Sequence, residues 1–208
     1  MVELVFNLQG YFYESGIKVL RQSYDTAEAA LYTALENAQS DLAEYEKAQA
    51  AGAPFEGERD EDGYVIWSQD QVLKGTVDAA QEALDSLRRS FAISLYHTWE
   101  RGARIWTGAP HDANHSRLSR GVEALGMTVH PDLDVLRLVA NVLKHDNNRR
   151  GNELLAAAPD LLDGVQSSPL NRIGWYEKVV ISMRWMHRFF DAVAASGPTT
   201  TTPYPKTP

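Results

Sequence analysis

The chain contains no cysteine among its 208 residues. Disulfide bonds, thiol catalysis and cysteine-based zinc sites are therefore excluded, and this composition fits a cytoplasmic protein. No apolar run approaches the roughly 18 residues of a membrane-spanning helix. Residues 1–10 lack the basic and apolar regions of a secretion signal. We therefore expect no membrane partner.

Several motifs that carry catalysis are also missing. The sequence has no glycine-rich phosphate loop, no Gly-x-Ser-x-Gly and no motif of paired carboxylates. His111 and His115 have the spacing of two metal ligands on one helical turn, but they follow a proline and lack the glutamate of the metalloprotease motif. We predict no metal site and no cofactor.

Charge is distributed unevenly along the chain, whose net charge is −8. Residues 1–85 hold 17 acidic and 5 basic side chains, whereas residues 86–150 hold 6 acidic and 10 basic ones. The simplest interpretation is a set of solvated faces. A local basic face can nevertheless bind phosphate on an acidic protein, so the middle of the chain is a candidate nucleic-acid surface.

The apolar spacing predicts an all-α fold, a helical bundle of about five main helices with one very long helix. That helix opens at Ser68, ends at Gly108, and keeps apolar residues at steps of three and four throughout. Its predicted length of roughly 50 Å exceeds the width of a small domain and favours a homodimer. The domain boundaries that we predict are an N-terminal cap over 1–16, a single helical domain over 17–196 and a flexible tail over 197–208.

The remaining elements follow from capping residues and glycine or proline stops. The first helix opens at Asp25, or as early as Ile17, and ends near Gly52. An acidic loop with a short hairpin is expected over 52–66. The later helices are predicted over 116–125, 130–151, 152–158 and 172–195.

The stretch His130–Gly151 is the centre of this prediction. Its apolar residues cover nearly the whole circumference of a helix, which is typical of a central, buried helix. Four polar residues interrupt it on one side, namely Arg137, Asn141, Lys144 and His145. Polar groups on a buried helix need partners or a function.

These side chains suit cleavage of RNA. An imidazole such as that of His145 can move the 2′-hydroxyl proton, and the Arg137 guanidinium can hold the scissile phosphate. Asn141 could orient the imidazole. The alternative interpretation is an ordinary helix end, where Lys144 and His145 complement the negative end of the helix dipole.

The order of helices, with a long second helix and Asn141-x-x-x-His145 near the end of a later one, resembles the HEPN superfamily. The resemblance covers residues 25–195. HEPN proteins are small all-α proteins, often dimeric, and many are ribonucleases of toxin–antitoxin and phage-defence systems. The family pattern is often Arg-Asn-x-x-x-His. In this chain the Asn and His match, Ala140 occupies the arginine position, and Arg137 lies one turn earlier.

The resemblance implies a metal-independent endoribonuclease or RNA-binding protein. His145 would be the general acid and base, Asn141 would orient it, and Arg137 and Lys144 would clamp the phosphate. Glu100, on the long helix that packs beside the central one in such folds, is a further catalytic candidate. The candidates for contact with the RNA backbone are Arg101, Arg149 and Arg150.

Two other functions are consistent with the sequence. The protein could be a non-catalytic helical interaction module that kept the fold without an arginine at position 140, with its acidic first helix as the surface for a protein partner. It could also be a bundle that binds a small ligand near Trp99, Trp106 and Trp175.

Overall fold

A computed structural model of the chain describes residues 6–165 and 174–202. Its architecture is all-α, which confirms the predicted fold class. The helices are α1 (Leu8–Ala50), α2 (Gln69–Thr107), α3 (His115–Ala124), α4 (Asp132–His145), α5 (Asn148–Ala157), α6 (Trp175–Lys178) and α7 (Met183–Ala195). A 3₁₀ turn covers Pro159–Leu161. In the part of the chain so described, no helix has the length and apolar character needed to cross a membrane.

The first helix begins much earlier than the sequence predicted. The Asn7 side chain accepts a hydrogen bond from the backbone N–H of Gly10 (3.0 Å), which satisfies a donor at the start of α1. The prediction that the helix opens at Asp25 or Ile17 was wrong, since residues 8–16 form its first turns. The chain therefore contains two very long helices, α1 and α2.

The beginning of α1 is held by the end of the chain. The backbone N–H of Asn7 donates to the carbonyl of Thr200 (2.8 Å), and the backbone N–H of Thr200 donates to Glu14 (3.1 Å). The Tyr13 hydroxyl donates to the carbonyl of Val193 (2.6 Å). Residues 197–202 are therefore tied to α1, whereas we had predicted a flexible tail from residue 197. The rest of that tail, 203–208, lies outside the described residues.

The second helix and the hairpin agree with the predictions for them. α2 ends at Thr107, followed by Gly108, whose φ is +63°. The acidic loop contains an antiparallel hairpin of β1 (Gly57–Arg59) and β2 (Val65–Ser68).

The central stretch is two helices rather than one. α4 stops where Asp146 takes a left-handed conformation (φ 43°, ψ 46°). Asn147 then caps α5 by accepting from the N–H of Arg150 (2.9 Å). The predicted last helix is also divided, because Ser182 caps a separate helix, α7. The predicted start of that helix, residue 172, lies outside the described residues.

Contacts divide the chain into two compact units. The first unit comprises Met1–Ser23 and Arg88–Pro208, and the second unit is Tyr24–Leu87. Within the first unit α4 contacts α5, α6 and α7. The residues of α4 that are buried are Leu133, Leu136, Leu138, Val139, Ala140, Val142 and Leu143. The opposite side of α4 carries the polar residues noted above.

Candidate functional site

A polar cleft of about 380 Å³ lies in the first unit beside the polar side of α4. Tyr96 and Glu100 of α2 form one wall, and Arg150 of α5 contributes another side chain. The remaining lining residues are Asn114, His115, Ser116, Arg137, Asn141 and Lys144. Four helices or helix ends therefore build this cleft.

The start of α3 brings an imidazole into the cleft. Asn114 caps the helix by accepting from the backbone N–H of Arg117 (3.0 Å), which places His115 in its first turn. His115 Nδ1 lies 3.3 Å from the hydroxyl of Tyr96, and its Nε2 lies 3.4 Å from the hydroxyl of Ser119. The side chain of His115 is 14% exposed, so contacts from α2 and α3 fix its ring at the edge of the cleft.

Arg137 is held in place by its own helix. Its Nε donates to Asp134 Oδ1 at 2.7 Å, and the same oxygen lies 3.6 Å from His115 Nε2. Asn141 Nδ2 donates to the backbone carbonyl of Arg137 at 2.9 Å. The amide of Asn141 is thus engaged within α4, and not with His145. The ion pair with Asp134 restricts the guanidinium, whose remaining N–H groups can bind an anion.

A chain of polar contacts joins α2 to α4. Glu100 accepts from Arg104 (3.0 Å) and lies 3.1 Å from His97 Nδ1, while Lys144 Nζ lies 3.4 Å from His97 Nε2. Because the Lys144 ammonium can only donate, this geometry places the proton of His97 on Nδ1, from which it is donated to Glu100. Glu100 therefore orients His97 and, through it, Lys144.

The environment of His115 favours its neutral form. Burial, together with the positive charge of Arg137, lowers the pKa of His115 to about 4, against the opposing influence of Asp134 and Glu100. Burial raises the pKa of the Tyr96 hydroxyl. At neutral pH the cleft therefore holds an uncharged imidazole and an uncharged phenol beside its cations.

The two carboxylates at the cleft stay ionised. Burial acts to raise the pKa of Glu100, but hydrogen bonds from His97 and Arg104 outweigh it and the pKa is lowered. The pKa of Asp134 is lowered in the same way, since its hydrogen bond and ion pair with Arg137 outweigh burial. Each carboxylate compensates a neighbouring guanidinium.

Most of the residues that were predicted from the sequence to form the site line the cleft, and the others lie outside its lining. Arg137, Asn141, Lys144, Glu100 and Arg150 border it together. The candidates that are not among the lining residues, all of them exposed, are His145, Arg149 and Arg101.

Ala140, at the arginine position of the HEPN pattern, is fully buried. Position 140 therefore faces the core rather than the cleft. Arg137, which is partly buried and borders the cleft, is the arginine of α4 that an anion would meet there.

Four residues of the cleft were not predicted as parts of one site, namely Tyr96, Asn114, His115 and Ser116. His115 had been considered only as half of a metal-ligand pair with His111. The signal in the sequence is the Asn114 capping position, which marks the start of α3 but cannot show which helix lies opposite. Over the described ranges 6–165 and 174–202, no group of three or more possible metal ligands is present.

The three tryptophans that were predicted to surround a small ligand serve mainly as core. Trp99 Nε1 donates to the carbonyl of Ser196 (2.8 Å) and Trp175 Nε1 donates to Asn148 Oδ1 (2.8 Å), and both rings are buried. Trp106 packs edge-on against Tyr13 and borders a cavity of about 20 Å³. A cavity of this size is too small for a metabolite, so these positions do not favour the ligand-binding bundle.

The cleft combines anion-binding cations, hydrogen-bonding amides and an imidazole, without a set of metal ligands among the residues described. This chemistry can bind a phosphate group and can move a proton next to it. No protein-family model, curated protein or solved structure matches the chain.

Proposed function

We propose that the protein is a HEPN-like RNA-binding protein that holds a backbone phosphate of RNA in this cleft and cleaves the strand without a metal ion. The observation that carries the proposal is the convergence of Arg137, Lys144 and Arg150 on one cleft that also contains His115. A cleft of about 380 Å³ falls at the lower end of ligand-pocket sizes, which suits a single nucleotide of a longer strand.

The cationic side chains of the cleft favour an anionic group such as phosphate over a neutral or cationic ligand. Three cationic side chains and the single carboxylate of Glu100 line the cleft, and Glu100 is already bonded to Arg104 and His97. The Arg137 fork is held by Asp134, so little side-chain entropy is lost when a phosphate oxygen binds it. Single-stranded RNA places one phosphate at each nucleotide and fits such a site without any groove geometry.

In the reaction, the 2′-oxygen attacks the neighbouring phosphorus as a general base takes its proton. The bond from phosphorus to the 5′-oxygen breaks, and a general acid protonates that oxygen, which leaves a 2′,3′-cyclic phosphate and a 5′-hydroxyl. Two imidazoles are candidates for the general base, but His115, whose pKa is lowered to about 4, is uncharged at neutral pH and can accept the proton there without being able to act as the general acid. The HEPN resemblance assigns the role to His145, which is exposed at the end of α4, whereas His115 borders the cleft itself.

The test is metal-free cleavage of single-stranded RNA by the purified protein, in chelator, with analysis of the product ends. We expect cyclic phosphate ends, and a loss of at least about a hundredfold in rate for Arg137→Ala. The same loss in His145→Ala or in His115→Ala identifies the imidazole that acts. Thermal unfolding of each variant shows that the fold is kept. Absence of cleavage by the folded wild type contradicts the catalytic part of the proposal.

The HEPN-like proposal extends to assembly and cellular role. It makes the protein a homodimer of a bacterial defence or toxin–antitoxin system, in which a twofold axis brings two sites to one RNA strand. Sedimentation velocity tests the dimer directly, and a monomer at all accessible concentrations contradicts it.

A non-catalytic interaction module is the second candidate. It is supported by Ala140 in the arginine position and by the ion pairs of Arg137 with Asp134 and of Arg150 with Glu153. Such pairs also occur in purely structural clusters. In this case the acidic first helix is the surface for a protein partner, and folded wild-type protein neither binds nor cleaves RNA.

A further inference from the structure

The hairpin of the second unit presents apolar side chains to solvent. Each residue from 54 to 67 is exposed, although this segment contains four consecutive apolar or aromatic residues, 64–67. Tyr64 is 73% exposed and Ile66 is 59% exposed. The pairing register shifts between Glu58 and Arg59, so that Ile66 is the extra residue of a β-bulge, and Tyr64 and Ile66 belong to one exposed run of four apolar or aromatic side chains. A contiguous exposed apolar patch of this kind marks an interaction surface.

The hairpin holds its shape through its own contacts. The carboxylate of Asp60 accepts from the backbone N–H groups of Asp62 (3.1 Å) and Tyr64 (2.7 Å), and Gly63 takes a positive φ of +86°. Trp67 Nε1 donates to Glu58 across the strands (3.3 Å). The apolar side chains are thus presented on an ordered turn, so ordering of the hairpin would cost little conformational entropy when a partner binds.

Among the residues that the structure describes, the sheet consists of β1 and β2, so each strand has one edge without a partner strand there. β2 is therefore open to the addition of an extended segment along its outer edge. Proteins protect such edges with charge, and this hairpin carries it beside the apolar residues. Its acidic residues are Glu56, Glu58, Asp60, Glu61 and Asp62, and Arg59 is its one basic residue.

This net charge of −4 restricts the partner. A second copy of the hairpin would bring two such charges together, which repel each other. RNA and anionic membrane surfaces are repelled for the same reason. A segment that alternates basic and apolar residues complements both features, because its apolar side chains would pack on Tyr64 and Ile66 while its lysines or arginines meet the carboxylates.

We propose that the hairpin surface, formed by Tyr64, Ile66 and the carboxylates of Glu61 and Asp62, binds an extended basic and apolar segment of a partner protein along β2. The proposal is independent of the RNA-binding cleft, because it rests only on residues of the second unit.

The experiment uses the full chain and a fluorescently labelled peptide of alternating lysine and valine, with an alternating glutamate and valine peptide for comparison. Anisotropy is expected to show binding of the lysine peptide that weakens with salt, and no binding of the glutamate peptide. Tyr64→Thr with Ile66→Thr keeps β propensity and is expected to weaken binding by about tenfold or more. Ile105→Ser, at a site 65% exposed in α2, is the matched control.

A second variant separates the charge from the apolar contact. Glu61→Gln with Asp62→Asn is expected to lower affinity at low salt and to flatten its salt dependence, while circular dichroism shows an unchanged fold. Equal binding by the wild type and the Tyr64→Thr, Ile66→Thr variant overturns the proposal. Self-association of the wild type that this variant abolishes, without peptide binding, overturns it in favour of a contact between copies.

Discussion

The two compact units differ in burial and in the sign of their charge. The second unit, residues 24–87, holds 15 acidic and 3 basic side chains, and its buried apolar residues among those described are Tyr24, Leu35, Ala38 and Leu84. The first unit carries a net charge of +4 and all of the other buried apolar residues among those described, including seven residues of α4. Most of the buried apolar residues and the candidate site therefore lie in the first unit, while the second presents an acidic surface.

The largest single effect on stability is expected from truncating a leucine, and it should differ between the two units. Leu136 is fully buried in α4, and Leu136→Ala should lower the free energy of unfolding by about 3–4 kcal/mol, because a closely packed core cannot collapse onto the cavity. Leu84→Ala, at a site 2% exposed in the second unit, should cost about 2 kcal/mol since its surroundings are mostly solvated. Urea unfolding measures both. A larger loss for Leu84→Ala would contradict the comparison.

Alanine substitutions at two glycines are expected to change the free energy of unfolding in opposite directions. A Cβ at Gly151 would overlap the ring of buried Trp175, whereas one at Gly75 would meet nothing within 4 Å. Gly151→Ala should therefore destabilise the protein by about 2–3 kcal/mol. Gly75→Ala should stabilise α2 by about 0.5–1 kcal/mol through helix propensity. Thermal unfolding distinguishes them, and a neutral Gly151→Ala would show that α5 does not pack closely on α6.

The first unit should also respond to mild acid. Because the folded pKa of His115 is about 4 against an ordinary value of 6.5, the unfolded chain takes up a proton first as pH falls below 6.5. This contribution to stability is complete above pH 6.5 and is lost toward pH 4. At pH 5 the loss should be about 2 kcal/mol.

Denaturant unfolding at neutral pH and at about pH 5 measures this loss. His115→Gln should remove most of the difference, whereas His111→Gln, at an exposed position, should leave it unchanged. If the free energy of unfolding fell by the same amount between neutral pH and pH 5 in the wild type and in His115→Gln, the assignment to His115 would be contradicted.

The periodicity of apolar residues predicted those elements whose structure depends on local sequence. The whole of α2 and the polar side of α4 were predicted, since apolar residues at steps of three and four identify a helix and its exposed face. The break at Asp146 was missed because its left-handed backbone interrupts an otherwise continuous pattern. The early start of α1 was missed because Asn7 is held by Thr200 and Thr202, nearly two hundred residues away.

Spacing alone predicted the part of the candidate site that one helix supplies, and the HEPN resemblance added Glu100 of α2 and Arg150 of α5. Arg137, Asn141 and Lys144 share a face of α4, and spacing alone places them together. His115 and Tyr96 reach the same cleft from α3 and α2, and no spacing in the sequence relates those helices to α4. The exposed position of His145 likewise depends on where α4 ends.

The most direct test of the central claim is the binding of labelled single-stranded RNA at several salt concentrations. Arg137→Gln and Lys144→Gln should each weaken binding by about tenfold and reduce the salt slope by about one. Arg184→Gln and Lys18→Gln remove the same charges at exposed sites of the first unit outside the cleft and should leave binding near that of the wild type. If the cleft variants bind RNA as the wild type does, or the control variants lose as much, the cleft is not the RNA site.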